Sequence, residues 1–353
     1  MKILITGNMG YIGPALVVEL RSRASRCDLV GLDSGLFAHC LLGEAAMPER
    51  LLDRQLFADV RAAEASLLAG VDAVVYLAAI SNEPMGRVYE QATMEINCAA
   101  ALRVAQFARD AGSSAFVYAS SCSVYGVVPD GVATEATALR PLTAYARSKC
   151  QAEEGLSRLA TPQFRVTCLR FGTACGMSPR LRLDLVLNEF VASALATGRI
   201  AILSDGKPWR PLIHVSDIAR ALAWAIDRPA DRGGAFLVVN AGADGWNYQV
   251  ADLAREVAGV LRGTQVQPNP TAGPDARSYR VSFRQFSDLA PEHAPRVTLT
   301  QAISELAEGL RAAGFDDRER LGSRLLRLHT LAALRERGLV DARLRWIDMA
   351  ASR

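Results

Sequence analysis

The sequence predicts an α/β protein built on a doubly wound parallel sheet. Over roughly the first 170 residues, short apolar segments alternate with longer segments of helical periodicity. This alternation is typical of a parallel sheet with helices on both faces. The predicted strands are apolar throughout, which favours burial on both faces. A glycine-rich turn after the first strand indicates a nucleotide-binding edge.

The individual elements follow from these patterns. Strands are predicted at 2–6, 28–33, 72–79, 115–120 and 164–171, and helices at 11–23, 87–111 and 143–159. Beyond residue 172 the pattern loosens. We expect a helix up to Thr197, another near 216–227, and short strands near 200–203, 212–215 and 235–239. A Pro/Gly-rich loop spans 267–278, and the tail from about Thr300 reads as helical and Arg-rich.

Composition excludes several classes of protein. The 353 residues are 50% hydrophobic and 22% charged, and the net charge of +3 gives no case for a nucleic-acid partner. The apolar runs are too short for a membrane span, and the chain starts at once with a strand, leaving no room for a signal peptide. The seven cysteines show no CxxC spacing and the four histidines lie far apart. We therefore expect a cytoplasmic protein with reduced thiols and no metal site.

The turn after the first strand reads TGNMGYIG, with glycines at Gly7, Gly10 and Gly13. Gly7 permits a tight turn, Gly10 lets the backbone approach a pyrophosphate, and Gly13 lets the helix pack closely on the sheet. The helix N-terminus offers free N–H groups to phosphates. Asp33 ends the second strand, where a carboxylate accepts hydrogen bonds from ribose hydroxyls and repels a 2′-phosphate. The pattern predicts a dinucleotide site that prefers NAD to NADP.

A second group of candidate functional residues lies at the end of the strand predicted at 115–120 and in the helix predicted at 143–159. Residues 145–149 read YARSK, so Tyr145 and Lys149 share one face of a helix. An ammonium beside a phenol is expected to lower the pKa of the tyrosine and suit it to acid–base chemistry. The segment SSCSVYG (120–126) ends a strand at the sheet edge where ligands bind.

Taken together, TGNMGYIG, Asp33, YLAA (76–79), SSCSVYG and YARSK resemble the extended short-chain dehydrogenase/reductase family. The likeness covers nearly the whole chain and is closest to NAD-dependent epimerases and dehydratases of nucleotide sugars. RFGTACG (170–176) and RPLIHVSDIARA (210–221) look like the family's substrate-side motifs. The resemblance implies a Rossmann domain over 1–172, a mainly substrate-binding lobe over 173–315 that partly returns to the first domain, and a helical extension over 316–353.

The resemblance also implies roles for individual residues. Ser121 would hydrogen-bond the reacting sugar oxygen, Tyr145 would move the proton, and Lys149 would bind the nicotinamide ribose. The implied cofactor-binding residues are Gly7, Met9, Gly10, Tyr11, Ile12, Gly13, Asp33, Asp59, Val60, Leu77, Ala78, Ala79, Asn97, Tyr145 and Lys149. The implied substrate-binding residues are Ser81, Glu83, Cys122, Ser123, Thr173, Asn188, Arg210 and Arg280.

Some of these assignments have competing interpretations. Arg210 matches an arginine that grips the sugar diphosphate, as a bidentate guanidinium suits. Arg280 either reaches the diphosphate or lies on a surface strand, and His214 is either a buried structural residue or a ligand contact. The chain departs from the family pattern at Thr173, where Asn is usual, at Cys175, where Tyr is frequent, and at Pro211, where Asp is usual.

The family's reactions share an oxidation of a sugar carbon and then diverge. Dehydratases place Asp-Glu directly after the catalytic hydroxyl, whereas this chain has Cys122 and Ser123. Small uncharged side chains there favour an epimerase, with Cys122 filling space. A dehydratase stays open because a thiol of ordinary pKa, about 8.5, can serve as an acid. Glu83 is a second candidate acid, or else an exposed loop carboxylate.

Two further alternatives stay open. One is a ketoreductase, which usually draws on NADPH and is therefore disfavoured by Asp33. The other is a non-catalytic dinucleotide sensor or scaffold, which typically lacks the tyrosine or lysine. Family resemblance implies a homodimer formed through the helices at 87–111 and 143–159. The arginines of the tail read as a solvated face or a partner contact.

Overall fold

The computed structural model describes residues 1–23, 26–43, 47–128, 131–269, 278–316 and 323–347. Most of the predicted loop at 267–278 and parts of the predicted extension at 316–353 lie outside the described residues. Within the described ranges, no helix combines the length and apolar character that crossing a bilayer requires.

The strands, in chain order, are β1 (Lys2–Thr6), β2 (Asp28–Asp33), β3 (Arg54–Phe57), β4 (Ala73–Tyr76), β5 (Ala115–Ser121), β6 (Val132–Ala133), β7 (Arg165–Phe171), β8 (Thr173–Cys175), β9 (Arg199–Ala201), β10 (Trp209–His214), β11 (Phe236–Ala241), β12 (Asn247–Gln249), β13 (Gln265–Gln267) and β14 (Arg280–Val281). The α-helices are α1 (Gly13–Arg21), α2 (Glu83–Val88), α3 (Glu90–Met94), α4 (Ala101–Asp110), α5 (Ala144–Ser157), α6 (Val186–Thr197), α7 (Val215–Asp227), α8 (Val250–Val260), α9 (Arg284–Leu289), α10 (Leu299–Ala312) and α11 (Arg327–Glu336).

Seven strands form the main sheet in the order β11-β7-β5-β4-β1-β2-β3. Every neighbouring pair in this sheet is parallel. The predicted Rossmann-type, doubly wound fold is thereby confirmed. The strand order reverses between β1 and β4, and ligands of such sheets bind in the crevice beyond the carboxyl ends of the strands at that point.

Both faces of the main sheet are buried, as the apolar strands predict. Along β1, Ile3 and Ile5 pack in one apolar cluster with α1 and α7. Leu4 points to the opposite face and packs in a second cluster with α4 and α5. This alternation follows from the two-residue period of a strand. The chain after residue 172 contributes to the same sheet, because β11 pairs with β7.

A second layer of structure lies beyond β7. The strands β8, β10 and β12 form a three-stranded sheet, in which β10 runs parallel to β8 and antiparallel to β12. Helices α6, α8 and α10 pack together through apolar side chains such as Leu187, Leu253 and Leu306. This layer faces the carboxyl edge of the main sheet, and the two enclose a cavity.

The helix predicted over 87–111 is confirmed from Glu90 to Asp110, where α3, a π-helical segment at Glu95–Ala100 and α4 follow one another without a break. Its predicted start is wrong, because α2 begins earlier, at Glu83, and ends before Tyr89. The side chain of Asn97 in the π turn binds the backbone of Ile80, with distances of 2.9 and 3.0 Å. The hydroxyls of Tyr76 and Tyr118 donate to the carbonyls of Ile96 and Asn97, at 2.6 and 2.7 Å. These tertiary contacts stabilise a backbone that helical periodicity alone does not reveal.

The edge strand β3 also escaped prediction. Its sequence, RQLF, lacks the apolar run that marked the other strands, because an edge strand is only partly covered. It pairs with β2 so that Phe57 lies opposite Asp33. Its Gln55 side chain lies 2.6 Å from the Asn8 amide nitrogen in the glycine-rich turn. An edge strand thus supports the nucleotide-binding turn.

Candidate active site

A cavity of about 1400 Å³ opens along the carboxyl edge of the main sheet. The residues that follow β1, β2, β4, β5 and β7 all contribute to its wall, as expected for this sheet topology. The predicted site residues that line it are Gly7, Gly10, Tyr11, Ile12, Asp33, Asp59, Val60, Leu77, Ala78, Ala79, Ser81, Glu83, Ser121, Ser123, Tyr145, Lys149, Thr173 and Arg210.

The glycine-rich turn has the close approaches that its sequence predicts. Gly7 has a φ of +71°, and a Cβ there would lie 2.5 Å from the Ala78 nitrogen. A Cβ at Gly13 would lie 2.0 Å from the Asn8 carbonyl oxygen, so only glycine lets α1 start this close to the turn. Helix α1 has no side-chain cap at its N-terminus. Its first N–H groups therefore suit the phosphates of a dinucleotide.

Asp33 lies at the other end of this groove, at the tip of β2. Its carboxylate accepts hydrogen bonds from the backbone N–H of Met9 at 3.0 Å and of Gly35 at 2.8 Å. Burial raises the pKa of Asp33, and these two N–H groups oppose that rise. Met9 therefore acts through its backbone on Asp33; its side chain does not line the cavity. The donor set of this groove fits NAD, since glycines face the phosphates and a carboxylate faces the ribose.

Ser121, Tyr145 and Lys149 meet in the interior of the cavity. Ser121 ends β5, and its hydroxyl accepts a hydrogen bond from the Ser123 N–H at 3.2 Å. The Ser121 hydroxyl lies close enough to the Tyr145 phenol to lower its pKa. The Lys149 ammonium donates to the Ala119 carbonyl at 2.7 Å and lies 5.6 Å from the centre of the Tyr145 ring. Hydroxyl, phenol and ammonium thus share one space with the dinucleotide groove.

Residues 3–242 match the profile of the NAD dependent epimerase/dehydratase family, which is more than half of the chain. The chain belongs to this family. The fold and the NAD-binding groove described above agree with that membership.

Curated relatives include both branches of the family. The chain is 29% identical over 238 residues to the Bacillus subtilis protein named uncharacterized UDP-glucose epimerase YtcB, covering 65% of this chain and 73% of that protein. It is 27% identical over 308 residues to a dTDP-glucose 4,6-dehydratase of Streptomyces griseus, covering 86% of this chain and 92% of that enzyme. Sequence identity at this level does not separate the two activities.

Solved structures place the fold in the same group. MoeE5, crystallised with UDP-glucose and NAD, is 27% identical to this chain with a TM-score of 0.72. The match covers 89% of this chain and 99% of MoeE5. NAD is accordingly the cofactor of the present protein. The residues that would hold the dinucleotide line the groove between Gly7 and Asp33.

The pKa of Tyr145 departs from the prediction. Burial raises it, and the hydrogen bond with Ser121 and the charge of Arg182 only partly offset this effect. The negative charge of Glu83 raises it further. Lys149 does not exert the predicted lowering, because burial shifts the pKa of Lys149 itself down to about 7. In the surroundings that this chain provides, Tyr145 is therefore mainly a protonated phenol at neutral pH, and only its phenolate form can accept a proton.

The predicted contact between Cys122 and the substrate has to be corrected. Its side chain is fully buried in a small apolar cluster with Val124, Tyr125 and Phe283, and it does not line the cavity. The thiol donates to the Arg170 carbonyl at 3.2 Å. Burial raises the pKa of the Cys122 thiol far above its usual range. It packs in the core behind Ser121 and is not placed to protonate a substrate.

Gly13, which lets α1 pack against the turn, does not line the cavity, and three other predicted ligand contacts also lie outside its wall: Asn97, Asn188 and Arg280. Asn188 is buried, where it accepts from the Gly176 N–H at 3.0 Å and donates to the Tyr11 hydroxyl at 3.2 Å. Arg280 stacks on the Trp209 ring, 5.2 Å from its centre. Asn97 holds the Ser148 hydroxyl at 3.0 Å and so supports the helix of Tyr145. All three are positioned behind the residues that face the ligand.

His214 proves to be a structural residue. It is buried and caps the N-terminus of α7, where the Ser216 N–H lies 3.3 Å from its Nδ1. It does not line the cavity. The Arg210 of the same segment does line the cavity, although its Nη1 also donates to the Trp209 carbonyl at 2.9 Å.

Arg182 and Asp184 line the cavity but were not predicted from the sequence. Arg182 donates to both carboxylate oxygens of Asp184 at 2.9 Å and to the Ser81 hydroxyl at 2.8 Å. Its positive charge lowers the pKa of Tyr145. A signal was present, because RLRLD places opposite charges two residues apart in an apolar run. Tyr279 and residues of the C-terminal tail, among them Leu328 and Leu344, were also missed.

When bound, NAD supplies an acceptor for a hydride from a sugar carbon and a donor that can return it. The residues of the chain supply the rest. Ser121 can hold the reacting oxygen, and Tyr145 can take the hydroxyl proton from it as a phenolate and return it as a phenol. Together they suit reversible oxidation of a secondary alcohol.

Proposed function

We propose that the protein is a nucleotide-sugar epimerase that works through a transient keto-sugar. The observation that carries the proposal is the interior of the cavity. Ser121 and Tyr145 both line it, close enough for the Ser121 hydroxyl to lower the pKa of Tyr145, and neither of the two positions after Ser121 offers a titrating acid or base. Cys122 is buried in the core and Ser123 is neutral. The site therefore has groups that suit the oxidation and reduction of a sugar carbon. The two positions after Ser121 supply no acid or base for the elimination of water.

The proposed reaction uses each group twice. In its phenolate form, Tyr145 accepts the proton of a sugar hydroxyl while the carbon beneath that oxygen loses a hydride. The C–H bond breaks and a carbonyl forms. The ketone then presents its other face, the hydride returns to the same carbon, and Tyr145 gives the proton back to the oxygen. The product has the opposite configuration at one carbon, and no atom or electron is gained or lost.

Two polar groups support a nucleotide-sugar substrate. The Ser123 hydroxyl, which lies in the cavity wall, has no hydrogen-bond partner among the described residues. A buried polar group of this kind is expected to find a partner, and a sugar hydroxyl would provide one. Arg210, at the far side of the cavity, is the candidate for the diphosphate. Relatives named for UDP-glucose and dTDP-glucose agree with this substrate class.

Glu83 favours a second candidate, a dehydratase. It lines the cavity at the start of α2, and its charge raises the pKa values of both Tyr145 and Tyr279. A carboxylate so close to the proton carrier could remove the proton beside the ketone and deliver it to a leaving hydroxyl. In that case Glu83, from a different strand end, would replace the acid pair that dehydratases place after the catalytic hydroxyl.

A panel of nucleotide sugars, analysed by liquid chromatography and mass spectrometry, tests the proposal. An epimerase yields a new isomer of unchanged mass without added reductant. A product lighter by one water identifies a dehydratase, and Glu83→Gln should then abolish it while hydride transfer continues. A product two hydrogens heavier that needs added NADH or NADPH identifies a ketoreductase. Either of the last two results refutes the epimerase assignment.

We further propose that the protein is a cytoplasmic homodimer paired through the helical segments 87–111, which contains α3 and α4, and 143–159, which contains α5. The family resemblance motivates this pairing. The seven cysteines are all free thiols, which agrees with a reducing compartment. Light scattering on a sizing column measures the oligomer directly. A monomer at micromolar concentration would contradict the dimer without affecting the proposed reaction.

A further inference from the structure

We propose that residues 323–347, here called the C-terminal segment, form part of the cofactor site and hold the adenosine end of NAD. On this proposal the segment itself slows the exchange of bound NAD with solution. The inference rests on NAD as the cofactor and not on the choice of epimerase over dehydratase. The family profile ends at residue 242, so this segment lies outside the matched region.

The C-terminal segment reaches the cavity itself. It contributes wall residues of the same cavity that Gly7, Asp33 and Lys149 line; these are Leu326, Arg327, Leu328, His329 and Leu344. Such a contribution was not expected, because the tail arginines had been interpreted as a solvated face or a partner contact. Arg327 is instead 2% exposed, and its Nη2 donates to the Arg180 carbonyl at 2.8 Å. The segment is a docked part of the fold.

The first set of contacts ties the segment to the loop after Asp33. The indole N–H of Trp346 donates to the carbonyl of Ser34, the residue that follows Asp33, at 2.6 Å. The Arg327 guanidinium lies over the Phe37 ring, 5.1 Å from its centre. The Cys40 thiol lies 3.6 Å from the Thr330 hydroxyl. The C-terminal segment therefore holds the loop after Asp33, the carboxylate assigned to the ribose, in place.

The second set of contacts lies beside Asp59 and Val60, the residues assigned to the adenine. Arg61 donates to the Arg343 carbonyl at 2.7 Å while it is paired with Asp59 at 2.6 Å. The Leu344 side chain is 1% exposed and belongs to the same apolar cluster as Val60. Both strand ends that bind the adenosine half of NAD are thus bridged by one segment.

The backbone of the segment is specialised at this point. Leu344 has a φ of +60°, the one positive φ of a non-glycine residue in the described ranges. A leucine in this conformation is strained and persists only where surrounding contacts hold it. The strained turn directs the Leu344 side chain into the cavity wall. These contacts of the C-terminal segment must break before the adenosine end of NAD can leave past Leu344.

Exchange of bound NAD tests the proposal directly. The full-length protein is purified without added nucleotide, and the NAD released on denaturation is measured by mass spectrometry. The native protein is then mixed with an excess of isotope-labelled NAD, and replacement of the unlabelled cofactor is followed over time. We expect close to one NAD per chain and an exchange rate slower than the turnover rate. Rapid exchange in the parent protein would overturn the proposal.

Two variants assign the retention to the segment. Leu344→Gly removes the side chain from the wall, and glycine suits the left-handed backbone, so the turn itself is preserved. A chain that ends at Val340 removes Leu344 together with the contacts of Arg343 and Trp346, and keeps those of Arg327 and Thr330. Both are expected to exchange NAD at least about tenfold faster, which corresponds to about 1.4 kcal/mol.

The matched control is Ile347→Ala, a neighbouring side chain that is 40% exposed and does not line the cavity. It should exchange at the parental rate. Thermal unfolding with saturating NAD shows whether each variant is folded, and Leu344→Gly decides the matter if the shortened chain is not. A parental exchange rate in folded Leu344→Gly would overturn the proposal, as would equal acceleration by Ile347→Ala.

Discussion

The ammonium of Lys149 lies 5.6 Å from the centre of the Tyr145 ring and donates its 2.7 Å hydrogen bond to the carbonyl of Ala119. The side chain is only 3% exposed. Burial lowers the pKa of Lys149 to about 7, whereas the neighbouring carboxylate of Glu153 opposes that shift. Lys149 is therefore poised to change its charge near neutral pH, beside the group that moves the substrate proton.

This buried amine should make folding stability depend on pH. Between about pH 7 and the ordinary lysine pKa of 10.5, the unfolded chain holds a proton that the folded chain lacks. The contribution of Lys149 to the free energy of unfolding thus rises with pH across this window, and its destabilising effect is fully present below pH 7.

Lys149→Met removes this dependence. The free energy of unfolding of the variant minus that of the parent should be larger at pH 6 than at pH 9, by about 2 kcal/mol. Urea unfolding at several pH values, after the same nucleotide-removal step for both proteins, measures the difference. Parallel pH profiles for variant and parent would show that Lys149 keeps an ordinary pKa in the folded protein.

Tyr145→Phe should lower turnover of any accepted nucleotide sugar by about 1,000-fold, because it removes the only proton carrier assigned to the reaction. The phenyl ring keeps the packing, so thermal stability should change little. Tyr248→Phe is the matched control, since Tyr248 does not line the cavity. Turnover of Tyr145→Phe within tenfold of the parent would transfer the proton-carrying role to another residue.

Asp33→Asn should weaken NAD binding by about tenfold and reduce the preference for NAD over NADP, because the carboxylate charge is lost. Calorimetric titration with both dinucleotides measures the change. Asp53→Asn provides a matched control, since Asp53 also accepts a backbone hydrogen bond, from Leu29 at 2.7 Å, but lies outside the cavity. An unchanged NAD-to-NADP ratio in Asp33→Asn would remove Asp33 from the ribose site.

Cys122→Ala should affect folding and leave the reaction type unchanged. The thiol is fully buried, and its loss leaves a small cavity, at a cost of about 1 kcal/mol in the free energy of unfolding. The product made from each nucleotide sugar should be the same as that of the parent. Loss of a dehydrated product in this variant, with oxidation of the sugar intact, would give the thiol a chemical role.

Much of the fold could be predicted because its signals are local. The apolar strands and the turn at Gly7 carry their own periodicity and backbone requirements, so β1, β2, β5 and β7 lie where the sequence places them. The π-helical segment within the helix predicted at 87–111 could not be predicted. It depends on the hydroxyls of Tyr76 and Tyr118, which belong to the strands before and after this helix and bind carbonyls 20 and 21 residues away.

The candidate site divides in the same way. Residues in motifs, such as Ser121 and Tyr145, meet in the cavity as the family resemblance implies. The pKa of Tyr145 could not be predicted, because spacing on a helix gives its nearness to Lys149 but not the burial of both groups. The contribution of Leu344 depends on a tail that folds back across more than three hundred residues, for which the sequence carries no local signal.

The central claim is that one sugar carbon is oxidised and then reduced without loss of water. The most direct measurement uses a nucleotide sugar that carries deuterium on every sugar carbon, incubated with the protein and unlabelled NAD. The account predicts an epimer of unchanged mass that retains all of its carbon-bound deuterium. A product lighter by one molecule of water, or one that has exchanged its label for hydrogen, would contradict it.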